Sequence, residues 1–144
     1  MIKAMHHIGF CVTDMEKIIT FYQDVLGLDK TDDFEMSGEF LDTVQGQTDM
    51  NYRIVKFMTP DGYIMEFLDD RGHAVAPQRK NCLQSAGLRH FALEVENVDL
   101  MYERVKSFGF ETISEPCTSE DGSMRLFFVR DPERNLVELM QFPQ

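Results

Sequence analysis

The sequence predicts an α+β fold built from two copies of one half-domain, and three observations carry that prediction. Residues 7–12 read His-Ile-Gly-Phe-Cys-Val and residues 90–95 read His-Phe-Ala-Leu-Glu-Val, 83 positions apart. Each opens on His, places apolar residues second, fourth and sixth, and runs into a helix signal. A second pair, Pro60 to Leu68 and Pro132 to Met140, lies 72 positions apart. Each of these starts in a turn and carries a Glu, Glu66 or Glu138, at the same place in the strand that follows. Third, a stripe at helical spacing follows the first strand: Met15, Ile18, Ile19, Tyr22, Val25 and Leu26. It belongs against a sheet. Two copies at so long a period indicate duplication of a half-domain and not a solenoid.

The elements follow in order. Period-2 alternation predicts a strand over 5–12. Thr13 or Asp14 caps a helix running to about Leu26, and Gly27 stops it. Within 31–50 the pattern is faint, with Gly38 to Val44 reading as a short helix. Residues 51–58 alternate as a strand. Thr59-Pro60-Asp61-Gly62 forms a turn, because Pro sets φ and Gly permits positive φ. Residues 63–68 form the next strand. Module one thus spans about 1–70 and a polar linker about 71–87. Module two, about 88–144, repeats the order: a strand over 89–95, a helix from about Val98 to Phe108 ended by Gly109, then strands near 110–114, 124–129 and 135–142.

The chain has 144 residues, 14 Lys+Arg against 25 Asp+Glu, and a net charge of -11. That balance argues against a nucleic-acid or anionic-membrane partner, since phosphate binding needs clustered cations. No apolar run is long enough for a transmembrane helix. The N-terminus lacks the basic and apolar regions of a signal peptide. Cys11, Cys82 and Cys117 form no close pair, which fits reduced thiols in a cytoplasmic protein. Cys11 itself reads as a small buried thiol.

Alternation also sorts the chemistry. His7, Gly9 and Cys11 share one strand face while Ile8, Phe10 and Val12 share the helix-packing face. His90, Ala92 and Glu94 stand against Phe91, Leu93 and Val95 in the same way. Glu66 lies between Ile64 and Leu68 on its own face, and Glu138 between Leu136 and Met140. A carboxylate in such surroundings must be paired, protonated or metal-bound. A lone strand His or Glu is ordinarily structural; repetition of both at matched places is what points to a site. Two imidazoles and two carboxylates suit Zn²⁺, Ni²⁺, Co²⁺, Mn²⁺ or Fe²⁺. An octahedral ion so held keeps two positions for water or substrate and polarises a bound carbonyl. A glutamate beside it serves as general base toward a carbon acid.

The stretches His6 to Leu28, Thr59 to Asp70, Gly87 to Phe110 and Phe127 to Phe142, in that order, resemble the vicinal oxygen chelate superfamily, the glyoxalase/bleomycin-resistance/dioxygenase group. The resemblance implies one domain of two βαβββ modules whose strands form a cupped, partly closed mixed barrel around one divalent ion, with helices outside. It matches the metal ligands to His7, Glu66, His90 and Glu138, with His6 turned toward the helix side or solvent. It implies a homodimer and a small-molecule substrate. The full His-Glu-His-Glu set resembles glyoxalase I, with Glu66 or Glu138 as base in an isomerisation that forms lactoylglutathione.

Other chemistries of the group remain open. An acyl-CoA epimerase would want cations such as Arg53, Arg71, Arg79, Lys80, Arg89 or Arg125. An Fe²⁺ ring-cleaving dioxygenase would use two His and one Glu. A non-enzymatic binder of drugs or other small molecules would use the 10 Met and 12 Phe, although such residues at strand and helix spacing are ordinarily core.

Overall fold

A computed structural model describes residues 1–77 and 86–143. The chain divides into two compact units, Met1–Pro77 and Gln78–Gln144. Positions 78–85, which include Arg79, Lys80, Cys82 and part of the expected linker, lie outside the described residues.

Unit one runs β1 (His7–Val12), α1 (Met15–Ile19), β2 (Asp29–Ser37), α2 (Glu39–Gln45), β3 (Asn51–Met58) and β4 (Ile64–Asp70). The Asp14 side chain caps α1 by accepting from the Lys17 amide, which satisfies an otherwise orphaned donor. After Ile19 the helix continues over Thr20–Val25 with π winding. The amide of Leu26 donates to the Phe21 carbonyl and that of Leu28 to Tyr22. Phe21, three residues after Ile18, joins the expected stripe and is fully buried with Ile18, Tyr22 and Val25. These side chains pack on the sheet face bearing Phe10, Phe57 and Phe67, with the Tyr22 and Phe67 ring centres 4.5 Å apart.

Unit two runs β5 (His90–Glu94), α3 (Val98–Ser107), β6 (Cys117–Thr118), β7 (Arg125–Arg130) and β8 (Leu136–Gln141). Asn97 caps α3 from its side chain, and Gln141 accepts from the Val98 amide. Val98, Tyr102 and Val105 are the buried positions of the helix, and Tyr102 meets Phe127 edge-on at 5.2 Å.

Both units are βαβββ modules of an α+β fold, with α2 added in the first. The strand orders correspond, β1-β4-β3-β2 and β5-β8-β7-β6. In each, the first and last strands pair in parallel and the rest are antiparallel. Neither sheet closes on itself; each is an open sheet of four strands.

Three local expectations are corrected. The nine-residue β2 escaped notice because all but Met36 of its residues are exposed, so no buried face imposes alternation. The strand expected near 110–114 is one bridge, Thr112 to Val129; the short β6 takes the ladder position beside β7. Cys11 is exposed and not a buried thiol.

The outer strand β2 is tied down by charge. Arg53 on β3 donates to Asp33 of β2 and to Glu16 of α1. The Arg53 hydrogen bond holds the Asp33 carboxyl at about 2, against an ordinary 3.8. A lowered carboxylate stabilises the fold above its unfolded value, and that stability disappears as pH falls toward 2. Asp33→Asn should therefore melt below wild type at neutral pH, with the two curves converging near pH 2. Thermal melts from pH 2 to 7 check this.

The two Glu-strand turns also differ. Gly62 holds φ 92 in the first, while Arg134, with an exposed side chain, holds φ 70 in the second. A left-handed non-glycine residue costs about 1–2 kcal/mol. Arg134→Gly should thus raise stability by about 0.5–1 kcal/mol after the added chain entropy, read as a higher urea midpoint at unchanged slope.

Candidate metal centre

Each unit brings one His and one Glu together by the same device. In β1 and β4 the parallel register sets Gly9 opposite Glu66 and His7 opposite Ile64. In β5 and β8 it sets Ala92 opposite Glu138 and His90 opposite Leu136. Each His is therefore a diagonal neighbour of its Glu, two places from direct opposition. A small residue, Gly9 or Ala92, stands directly opposite each Glu. A β-carbon at Gly9 would meet only the Leu68 Cδ1 at 3.6 Å, an ordinary contact, so alanine fits there as Ala92 does in unit two.

His7 Nε2 stands 3.6 Å from Glu66 Oε2, and His90 Nε2 stands 3.0 Å from Glu138 Oε2. Both glutamate side chains retain 15% of their exposure and both imidazoles more than a third. The groups thus line an accessible surface. Ligands held about 2.0–2.2 Å from one ion lie about 3 Å apart at adjacent octahedral corners. The His90–Glu138 pair has that spacing, and the His7–Glu66 pair is wider by 0.6 Å. Within neither unit does a third His, Cys, Asp or Glu among the described residues complete a group of metal donors.

The two pairs have different surroundings. His6, expected to turn away, places its Nδ1 2.8 Å from His7 Nδ1. It thereby orients the His7 ring with Nε2 toward Glu66, as outer partners of ligating imidazoles do. Lys56, which drew no attention in the sequence, places its Nζ 3.3 Å from Glu66 Oε1. The signal for it lay in the turn: counting back from Thr59 and forward from Tyr63 puts Lys56 directly opposite Glu66. The same count in unit two puts Phe128 opposite Glu138. Phe128 meets the His90 ring edge-on at 5.3 Å, and His90 Nδ1 is buried without a hydrogen-bond partner among the described residues.

Behind Glu66 the same face becomes apolar. Leu68, Ile54, Tyr52 and Met36 pack with Leu41 of α2. Burial, and then the nearby Asp70 and Cys11, push the Tyr52 phenol upward, so it stays a neutral hydroxyl. Glu94, on the His90 face, is exposed.

Among the described residues, other cations named from the sequence are engaged elsewhere. Arg71 pairs with Glu35 and Asp69, and Arg125 with Asp99. Arg89 is exposed. No helix among the described residues is long and apolar enough to cross a membrane.

Comparison with known proteins places this geometry. Residues 4–139 match the Glyoxalase/Bleomycin resistance protein/Dioxygenase superfamily. A glyoxalase family protein from Bacillus cereus superposes with a TM-score of 0.90 at 23% identity, over 100% of this chain and 97% of that one. The chain is 26% identical to a probable lactoylglutathione lyase of Synechocystis over 94% of its own length and 92% of that protein's. It also resembles a mutant of FosX, a fosfomycin resistance protein of Listeria monocytogenes, solved with Mn(II) and 1S,2S-dihydroxypropylphosphonic acid. There the TM-score is 0.64 and the identity 20%, over 96% of this chain and 90% of that one. A duplicated His–Glu arrangement on this fold, with a family match running through both units, has one conclusion: the chain belongs to the glyoxalase/bleomycin resistance protein/dioxygenase superfamily.

Proposed function

We propose that the protein is a divalent-metal-dependent isomerase or lyase of glyoxalase type, acting on a small-molecule carbon acid. In this reading His7, Glu66, His90 and Glu138 are the metal ligands. The observation that carries it is the repeated His–Glu pair, in one register and with N–O separations of 3.6 and 3.0 Å. The donor set of two nitrogens and two oxygens fits Ni²⁺, Zn²⁺, Co²⁺, Mn²⁺ or Fe²⁺. A bound ion of this kind would polarise a chelated carbonyl oxygen and acidify the neighbouring C–H. The family resemblance supports a homodimer, and the Synechocystis relative supports a lactoylglutathione-type product.

The surroundings of the two carboxylates divide their roles. Glu66 is gripped by both His7 and Lys56, which suits a fixed ligand. Glu138 faces His90, and its cross-strand neighbours are the apolar Phe128 and Ala92, so no ammonium at those places ties down its second oxygen. We assign the proton transfer to Glu138: a carboxylate oxygen takes the proton from the substrate carbon and returns it to the adjacent one.

The test is turnover of methylglyoxal plus glutathione, followed by thioester absorbance, with each candidate metal added. Turnover with at least one metal is expected, and none with any would remove the glyoxalase reading. Glu138→Gln should lower kcat by about 10²- to 10⁴-fold, whereas Glu66→Gln should chiefly weaken metal affinity. Equal kcat losses without a metal defect would contradict this division of roles.

Metal binding is checked separately from activity. At a metal concentration 100 times the Kd, wild type should gain about 2.7 kcal/mol, seen as a rise in Tm. His7→Ala and His90→Ala should each lose most of that rise.

A further inference from the structure

The duplication breaks at the place directly across from each glutamate. Unit one has Lys56 there and unit two has Phe128. Lys56 is not a freely solvated surface charge. Its side chain keeps 25% of its exposure, and its Nζ sits 3.3 Å from Glu66 Oε1 and 5.4 Å from the Phe34 ring centre. The larger cations of the unit are committed elsewhere: Arg53 to Asp33 and Glu16, and Arg71 to Glu35 and Asp69. The partner of Lys56 is instead a candidate metal ligand.

An ammonium largely withdrawn from water needs an anion beside it. Without metal, Glu66 fills that need. A metal-ligating Glu66 shares its charge with the ion and leaves Lys56 undercompensated. The single carboxylate of Glu66 cannot neutralise both a divalent ion and the Lys56 ammonium beside it. One oxyanion on a bound molecule restores balance and gives Lys56 a partner.

We infer that Lys56 recognises an oxyanion, a carboxylate or a phosphonate, on the small molecule that binds beside Glu66; this rests on the metal-site reading above. The Phe34 ring, 40% exposed, lies under the same ammonium at 5.4 Å and gives it a second contact. The substrate accordingly carries an acid group in addition to the carbonyl beside which the proton is moved.

The experiment uses the full chain loaded with Co²⁺, titrated with acetate and with methylphosphonate, and followed by visible Co²⁺ absorption and by calorimetry. Wild type should bind at least one probe, and the tighter one identifies the oxyanion. Lys56→Gln should weaken that binding by roughly 10- to 100-fold, the worth of a charged hydrogen bond, and Lys56→Arg should restore most of it. Co²⁺ affinity, measured in parallel, should be unchanged or tighter in Lys56→Gln, because no ammonium competes for Glu66. If Lys56→Gln fails to fold by circular dichroism, Lys56→Met, which keeps the apolar stem, takes its place.

Probe affinity that survives loss of the charge overturns the inference, as does a wild type that binds neither probe. A Lys56→Gln variant that loses Co²⁺ affinity overturns it too, since Lys56 would then serve only to hold Glu66. Wild type that binds no Co²⁺ overturns the metal-site reading, and this inference with it.

Discussion

The parallel pairing of the first strand of each unit with its last is the constraint on which everything else depends. Strands β1 and β4 are separated by more than 50 residues, yet they lie side by side in one register. Parallel neighbours need a crossover, and here a helix and the middle strands supply it. The helix buries one face of the sheet through Tyr22 against Phe67, or Tyr102 against Phe127. The other face is left for His and Glu. The two-place offset between them, identical in both units, makes the imidazole and carboxylate diagonal neighbours.

On that shared frame the units have diverged where the frame does not care. Unit one has the long β2 and the added helix α2. Leu41 of α2 buries Tyr52 and Ile54 on the Glu66 face, so the ground behind that glutamate is apolar and covered. Unit two has only the two-residue β6 at the matching ladder position. The charge difference is sharper. An ammonium opposite Glu66 and a phenyl ring opposite Glu138 give two carboxylates of the same type different surroundings. Duplication alone would make them equivalent.

The acidic surface also acquires an internal order. Edge strands invite pairing with other chains, and charge discourages it. β2 carries Asp29, Asp32, Asp33 and Glu35, and Arg53 and Arg71 bind Asp33 and Glu35. Surface pairs contribute little individually. The ladder with β3 and the packing of Met36 hold this largely polar strand in the sheet, and the ion pairs add side-chain ties from neighbouring elements.

Much of this was legible beforehand. Alternation marked β3 at its observed bounds, 51–58. The Pro-containing turns located the Glu-strands, and Gly109 marked the end of α3. Repetition singled out His7, Glu66, His90 and Glu138. What escaped had no local signature. β2 has no buried face, the π winding after Ile19 changes no residue type, and the exposure of Cys11 depends on what covers its strand. Lys56 was legible in principle, by counting across the hairpin. The sequence by itself determined the duplicated βαβββ order, the helix-packing faces, and the residue types available for chemistry, because these follow from periods of 2 and 3.6 along the chain. Only the tertiary structure decided which atoms meet. The distances of His7 and Lys56 to Glu66, and of His90 to Glu138, are set by strand register and side-chain packing between segments remote in sequence, which no local period encodes.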